Sequence, residues 1–274
     1  MESVWKMLAE DFDSNLPRLT AVYVRESEGT IGFAYPSGEN CAGYVFEHSI
    51  HTGYDRPPKF YFDFAAYEQR ENGLYKNRAL FAKQTFLPSL IRRRLEYTNL
   101  PLVGSERFGR FTEGALSWIF DFTCRTEWFR FEEELISVVR SDEEFSAFTK
   151  DGVLTLQFDD MAYYIAASQP FTAAVYRNET ELKQEAAGKG AGQAEKGYLL
   201  ALRQSFSMAS LQRAQFVLGI STVSPQKAKE AAAVLDTAGK EDPDEALAVL
   251  EDRIAAVWDK WFDSLPVVDP RDKQ

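Results

Sequence analysis

The segment Ala115–Cys124, which reads ALSWIFDFTC, limits the possible folds of this chain more than any other segment. It is nearly continuous in apolar residues, it is rich in aromatic side chains, and Gly114 precedes it. A run of this length and composition is typical of a strand covered on both faces. The sequence therefore predicts a central, buried β-strand at this position.

A large aromatic core is expected around that strand. The chain has 21 phenylalanines in 274 residues, and 45% of its residues are hydrophobic. This length suffices for one large domain or for two, and the composition is that of a globular protein rather than a disordered one. The longest apolar runs are much shorter than the roughly 20 residues of a membrane-spanning helix, so no span is predicted.

The first residues and the cysteines predict a cytoplasmic location. The opening residues MESVWK lack the basic start and the apolar run of a secretory leader. The chain has two cysteines, Cys41 and Cys124, which fit buried thiols in a reducing compartment. A single disulfide between them stays open as an alternative, because the sequence does not give their separation in space.

Short alternating runs predict further strands on both sides of the central one. Glycine and proline turns separate the first three, which suggests an antiparallel meander. After Pro57 and Pro58, a run at residues 59–64 also alternates. The expected strands lie at residues 19–25, 30–35, 44–47, 59–64, 107–111, 115–124 and 153–158, with residues 162–176 also extended.

Helices are expected in three segments before residue 184 and in three segments after residue 197. Residues 1–12 and 126–139 carry apolar side chains at helical spacing, and the basic stretch 72–95 is interpreted as a helix interrupted near Pro88. A glycine- and alanine-rich segment at 184–197 reads as a linker. Beyond it, three helices are predicted at 198–218, 225–238 and 244–265, the last with Asp242 as its cap.

Together these patterns predict an α+β fold, with a mixed or mostly antiparallel sheet, flanking helices and a C-terminal three-helix unit. The expected organisation is an aromatic-rich α+β body over residues 1–183, a flexible linker over 184–197, and a helical unit over 198–274 packed on the body.

Metal and nucleophile motifs are weak. His48 and His51 lie three residues apart, and together with Cys41 and Cys124 they complete a four-ligand set only if the chain brings them together. No nucleophile elbow occurs, and the linker glycines match neither a Walker loop nor a dinucleotide fingerprint. The sequence therefore predicts no catalytic residue, no metal site and no cofactor, although convergence of the histidines and cysteines stays open.

One acidic arrangement resembles that of a metal-dependent phosphodiesterase. Asp159 and Asp160 follow a predicted strand, and Glu181 and Lys183 come later with one residue between them. Such enzymes need two or three acids around a divalent ion. The second pair lies in a predicted exposed helix rather than in a core strand, so this is the weakest of the functional hypotheses.

The clearest charge feature is a stretch, residues 72–95, that has cations and no acid in a chain of net charge −11. Arginine is suited to bidentate contacts with phosphate or carboxylate groups. The stretch predicts either contact with an anionic partner such as nucleic acid, or pairing with this protein's own acids or an acidic partner. The candidate residues are Lys76, Arg78, Lys83, Arg92, Arg93 and Arg94.

Because catalytic motifs are lacking, the sequence favours a non-enzymatic interaction protein. An inhibitor, an immunity-type protein or an accessory subunit would bind a protein partner, such as a basic nucleic-acid enzyme, through an acidic surface. A nucleic-acid-binding subunit of a larger complex, using the basic stretch, is the alternative. The candidate acidic residues form two patches, one of Glu132, Glu133, Glu134, Asp142, Glu143 and Glu144, and the other of Asp159 and Asp160.

Overall fold

The computed structural model describes residues 20–26, 29–35, 43–46, 60–77, 79–87, 90–97, 101–125, 131–159, 161–184, 190, 192–208 and 211–263. Strands account for most of these residues. They are β1 Thr20–Glu26, β2 Gly29–Tyr35, β3 Gly43–Phe46, β4 Phe60–Arg70, β5 Gly73–Asn77, β6 Ala79–Leu87, β7 Leu90–Tyr97, β8 Leu102–Thr112, β9 Ala115–Cys124, β10 Phe131–Arg140, β11 Phe145–Lys150, β12 Val153–Gln157, β13 Ala162–Ala167, β14 Thr172–Tyr176, β15 Gln193–Ala194, β16 Leu199–Met208 and β17 Arg213–Ser221.

Three helices and one 3₁₀ segment complete the described elements. Helix α1 covers Glu179–Lys183, α2 covers Pro225–Ala232, the 3₁₀ segment covers Val234–Ala238, and α3 covers Pro243–Asp263. The Asp242 carboxylate accepts hydrogen bonds from the backbone N–H groups of Asp244 and Glu245, at 2.9 and 3.0 Å. It thus caps α3, as the sequence predicted. No helix among the described residues has the length and apolar content needed to cross a membrane.

The strands form two large antiparallel sheets and one hairpin. Six strands make one sheet in the order β14-β16-β10-β4-β3, with β5 also paired to β4. Nine strands make the other in the order β15-β11-β12-β13-β17-β9-β8-β7-β6, and β1 pairs with β2 alone. Strand β9 lies between β17 and β8, so the predicted central strand is confirmed.

The two sheets pack face to face around one aromatic core. Trp118 of the nine-stranded sheet is fully buried, and its ring centroid lies 5.1 Å from that of Phe62 in the six-stranded sheet. Leu200 and Leu202 of β16 belong to the same cluster. Because side chains alternate along a strand, residues on the facing sides of the two sheets enter this shared core, such as Leu200 and Leu202 of β16.

The outer face of the nine-stranded sheet is covered by α2, the 3₁₀ segment and α3. Ile119 and Val217 of the sheet pack there with Leu247 and Leu250 of α3. Small residues let α2 lie close to the strands: an alanine Cβ built at Gly219 would lie 2.0 Å from the carbonyl oxygen of Ala228. The helices are therefore a third layer on a β-sandwich.

The predicted α+β class with a C-terminal three-helix unit is wrong, because the described chain is mostly antiparallel β-sheet. The region 198–218, predicted as a helix, contains strand β16 and most of strand β17, each of which lies between two other strands of its sheet. Leu199 and Ala201 are buried on one face of β16 while Leu200 and Leu202 are buried on the other. A strand covered on both faces loses the alternating pattern, so periodicity does not separate it from a helix.

Two more predicted helices are strands. The basic stretch forms the end of the β4–β5 hairpin and the hairpin of β6 and β7, with Pro88 between the latter two strands. Residues 131–139 of the predicted helix 126–139 belong to β10. Phe131, Leu135 and Val139 are four residues apart, and a spacing of four fits both a helix face and a strand face. The predicted helix over residues 1–12 lies outside the described residues.

Candidate functional site

The best-defined feature among the predicted site residues is a pocket of about 500 Å³ at one end of the nine-stranded sheet. It lies where the chain enters β11 and where it leaves β12. Three carboxylates, three polar side chains and two aromatic rings surround it: Glu143, Glu144, Phe145, Ser146, Gln157, Phe158, Asp159 and Gln193. We call this the acidic pocket. It unites residues from both predicted acidic patches.

Local hydrogen bonds fix the two turns that form the acidic pocket. The Ser141 hydroxyl accepts a hydrogen bond from the backbone N–H of Glu143 at 2.9 Å, which folds the connection from β10 into β11. The Gln157 amide donates to the carbonyl oxygens of Phe158 and Met161, at 2.7 and 3.3 Å. Phe145 is buried beneath, with its ring centroid 5.4 Å from that of Phe158. The carboxylates of the acidic pocket are thus carried by hydrogen-bonded turns that pack on buried aromatic rings.

Two carboxylates of the acidic pocket lack a cation within the described part of the chain. Neither Glu144 nor Asp159 forms an ion pair there, and both are exposed. Unpaired acids of one sign at a concave surface produce a negative potential. Many other acids are paired: Asp121 and Asp244 with Arg213, Glu134 with Arg203, Glu179 with Lys76, Arg140 and Lys183, Glu181 with Arg177, and Glu251 with Arg92 and Arg107.

The first predicted acidic patch is divided by the structure. Glu134 lies on the outer face of the six-stranded sheet, where its carboxylate accepts two hydrogen bonds from the Arg203 guanidinium. Roughly 20 Å of extended strand separates it from Arg140, just before the pocket. Asp142 is exposed beside the pocket without lining it. The side chains of Glu132 and Glu133, and all of Asp160, lie outside what the structure describes.

The basic residues are distributed over separate places. Arg92 lies on β7 and donates a hydrogen bond of 2.9 Å to Glu251 of α3. Lys76 lies on β5 with its ammonium nitrogen 3.7 Å from the Glu179 carboxylate. Arg94 is exposed on the face of β7 that also carries Arg92. Arg78, and the side chains of Lys83 and Arg93, fall outside the described residues. For Arg92 and Lys76, the nearest anions belong to this protein.

Sequence reasoning missed a set of ion pairs within the nine-stranded sheet and between that sheet and α3. The Arg107 Nε donates to Glu251 at 2.6 Å, and Arg213 binds both carboxylate oxygens of Asp121 at 2.7 and 2.5 Å. The hydrogen bonds to Asp121 raise the pKa of Arg213, and the hydrogen bond from Arg213 lowers the pKa of Asp244. One sequence signal was available: Asp121 interrupts an otherwise apolar strand, and a buried carboxylate needs a partner.

We predict that Glu251→Gln destabilises the fold by about 1–2 kcal/mol, because it leaves Arg92 and Arg107 without their shared anion in a partly buried site. Urea unfolding followed by tryptophan fluorescence measures this change. Glu230→Gln is the matched control, since Glu230 pairs with Lys227 in an exposed i, i+3 contact and such pairs contribute less than about 0.5 kcal/mol. Equal effects of the two variants would contradict the prediction.

The described residues do not form the metal site or the phosphodiesterase site that the sequence left open. Cys124 is buried, and Cys41, His48 and His51 are outside the described residues. No group of three or more potential metal ligands occurs among the residues that the structure describes. Asp159 lines the acidic pocket, whereas Glu181 does not and instead pairs with Arg177.

By architecture, the described chain is an antiparallel β-sandwich with helices packed on one outer face. No family model matches it, and no curated protein matches it. Among solved structures it is similar to a family GH92 α-mannosidase from Bacteroides thetaiotaomicron, at 15% identity and a TM-score of 0.48, covering 91% of this chain and 36% of that one. The same enzyme in complex with mannoimidazole gives 15% identity and a TM-score of 0.46, covering 87% and 34%. This chain thus spans about a third of those chains, and the likeness assigns no activity to it.

Proposed function

We propose that this chain is a non-enzymatic interaction module that binds a basic protein partner through the acidic pocket. The observation that carries the proposal is the position of Glu144 and Asp159, two exposed carboxylates without an ion pair among the described residues, at the rim of one concavity. The net charge of −11 also supports the proposal, because a mostly negative surface attracts a basic partner over distance.

The pocket suits a single cationic side chain better than a flat charged surface. A lysine or arginine of the partner would place its charge between Glu144 and Asp159, while the Gln157 and Gln193 amides offer oxygen acceptors at the same concavity. Arginine has five N–H donors in a fixed plane and gains most from several acceptors. An inhibitor, immunity-type protein or accessory subunit that acts on a basic nucleic-acid enzyme is the biological role we favour.

Recovery of the partner is the first test of this proposal. Tagged protein is incubated in lysate of its native cells with and without nuclease, and the bound proteins are identified by mass spectrometry. A stoichiometric basic protein that survives nuclease treatment is the expected result. Nucleic acid recovered alone, and lost with nuclease, would contradict the proposal and favour the basic stretch as the binding element.

We predict that the double variant Glu144→Lys with Asp159→Lys slows association with the recovered partner by about tenfold or more at low salt, because it reverses the charge of the acidic pocket. The measurement is biolayer interferometry over a series of salt concentrations. An arginine-rich model peptide serves as a second ligand, and an acidic peptide serves as the control that should not bind.

The matched control for this variant carries the same change in net charge elsewhere. Glu113 and Glu241 are exposed and do not line the pocket, so Glu113→Lys with Glu241→Lys alters the total charge equally. Association of this control should stay close to wild type. If both double variants slow association to the same extent, net charge rather than the acidic pocket governs binding, and the proposed site is wrong.

A further inference from the structure

The turn of the β4–β5 hairpin contains the dipeptide Asn72–Gly73, the one place in the sequence where glycine follows asparagine. Asn72 lies in the two-residue turn between the strands and is exposed to solvent. Its side-chain amide makes no hydrogen bond to any residue that the structure describes. No contact of this kind therefore fixes the orientation of the amide.

The other asparagines of the described chain are in different environments. Asn77 is buried, with 2% of its surface exposed, and Arg78 follows it. Asn178 is exposed, but its side-chain oxygen accepts a hydrogen bond of 2.9 Å from the backbone N–H of Glu181 and so caps α1. A side chain on the next residue hinders the approach of that residue's backbone nitrogen to the asparagine, and glycine has no such side chain. Among the described asparagines, exposure, an unrestrained amide and a following glycine occur together at the hairpin turn.

This combination permits an intramolecular reaction that releases ammonia. The Gly73 amide nitrogen gives its proton to solvent base and forms a bond to Cγ of Asn72. The bond from Cγ to the side-chain nitrogen breaks, and that nitrogen takes a proton from solvent and leaves as ammonia. Water then opens the resulting five-membered imide at one of its two carbonyls. One opening gives aspartate, and the other gives isoaspartate, in which the main chain runs through the side-chain carbon.

The hairpin end allows this reaction without unfolding of the sheet. Arg70 and Gly73 are the last pair in the register of β4 with β5. Terminal pairs of a hairpin open locally, at a free-energy cost far below that of global unfolding. The Gly73 nitrogen therefore reaches Cγ of Asn72 by fraying of this one pair, and the reaction is slower than in the unfolded chain but not blocked.

Isoaspartate would be difficult to accommodate because Gly73 lies against the end of α1. A Cβ built on Gly73 would be 2.2 Å from the carbonyl oxygen of Lys183, and the φ of Gly73 is 107°. Beside this contact, Leu74 of β5 and Leu182 of α1 are buried in one apolar cluster. Isoaspartate adds one atom to the main chain directly before Gly73. The added length must displace the hairpin end from α1, because the close approach leaves no space for it.

We propose that Asn72 is a deamidation site of this protein, and that isoaspartate formed there separates the β4–β5 hairpin from α1. The modification needs only water and proceeds without an enzyme. It is independent of the partner binding proposed for the acidic pocket.

The first test follows the full-length folded chain during incubation in mildly alkaline buffer at growth temperature. Peptide mass spectrometry with electron-transfer fragmentation quantifies aspartate and isoaspartate at each asparagine. We expect product at Asn72 to form about tenfold or more faster than at Asn178, because the capping hydrogen bond and the glutamate that follows both raise the barrier at the second site. Equal rates at these two exposed asparagines would overturn the proposal.

The second test measures hydrogen exchange in α1 before and after the incubation. We expect the backbone amides of α1 to exchange about tenfold faster in the isoaspartate fraction than in unmodified protein, since α1 loses its contact with the hairpin. Asn72→Gln is the matched control, because it keeps an exposed amide whose extra methylene disfavours the five-membered imide. Before incubation this variant should show wild-type exchange, and incubation should leave its exchange unchanged.

Two results of the exchange experiment would overturn the proposal. One is equal exchange of α1 in the modified and unmodified fractions of the wild-type protein. The other is an equal increase of exchange in the incubated Asn72→Gln protein, which would place the change elsewhere in the chain. Urea unfolding of both proteins before incubation shows that they start with the same stability.

Discussion

Replacing Gly219 with alanine is expected to destabilise the protein by about 3 kcal/mol and to lower its Tm by roughly 6–10 °C. The added Cβ would lie 2.0 Å from the carbonyl oxygen of Ala228 and 2.5 Å from the backbone nitrogen of Ala232. Both atoms belong to the backbone of α2, which cannot yield as a flexible side chain can. The helix must therefore shift away from β17.

That shift would break further contacts of α2. The Ser117 hydroxyl donates a buried hydrogen bond of 2.8 Å to the carbonyl oxygen of Ala231, and it would lose this acceptor. Differential scanning calorimetry of the purified variant measures the change in Tm. Gly190→Ala is the matched control, because no atom of the described residues lies within 4 Å of the place its new Cβ would take and its φ is not in the left-handed region. A Gly219→Ala protein as stable as this control would show that α2 does not pack tightly on β17.

The second large effect is expected at Trp118, at the centre of the sandwich. Its ring meets Phe62 of the opposite sheet, at a centroid distance of 5.1 Å, and Phe108 and Phe120 of its own sheet, at 5.8 and 4.8 Å. Trp118→Ala should cost about 3–5 kcal/mol, through lost burial and the cavity left between the sheets. Urea unfolding followed by circular dichroism measures it.

Two further variants separate a packing effect from a general effect of aromatic loss. Phe148 is 48% exposed on β11, and Phe148→Ala should change the free energy of unfolding by no more than about 0.5 kcal/mol. Trp118→Phe keeps most of the ring volume and should cost clearly less than Trp118→Ala. If Trp118→Ala and Phe148→Ala cost the same, the two sheets do not share the core described above.

Several strands were predictable because their local pattern agrees with their environment. Ala115–Cys124 was predicted and observed with the same bounds, and strands begin within a residue of the predictions at Thr20, Gly29 and Val153. These segments are bounded by glycine or proline turns, or carry β-branched and aromatic residues, so local signals and tertiary packing lead to the same conformation.

Other strands carried no distinct local signal. The turn between β16 and β17 has no glycine or proline, and Leu211 adopts a positive φ of 58° there. A left-handed conformation at leucine is not expected from its propensity, and the sequence therefore predicts one continuous helix through this connection. Strand β16 pairs with β10 in the six-stranded sheet, and β17 pairs with β9 in the nine-stranded sheet, so pairing in two different sheets stabilises the two strands.

The acidic pocket was also only partly predictable from the sequence. The sequence named Glu143, Glu144 and Asp159, but only the pairing of β11 with β12 brings them around one pocket.

The sequence by itself determined an aromatic core around Ala115–Cys124, the cap of α3 at Asp242 and an excess of acidic residues. Each of these depends on neighbours within a few positions or on composition. The tertiary structure alone decided that Leu199–Met208 and Arg213–Ser221 are strands, that Arg92 pairs with Glu251, and which of the described acids have a cation beside them. Long-range strand pairing and charge pairing depend on which segments meet in space. Arg92 and Glu251 are 159 positions apart, so the local sequence around either residue does not predict their contact.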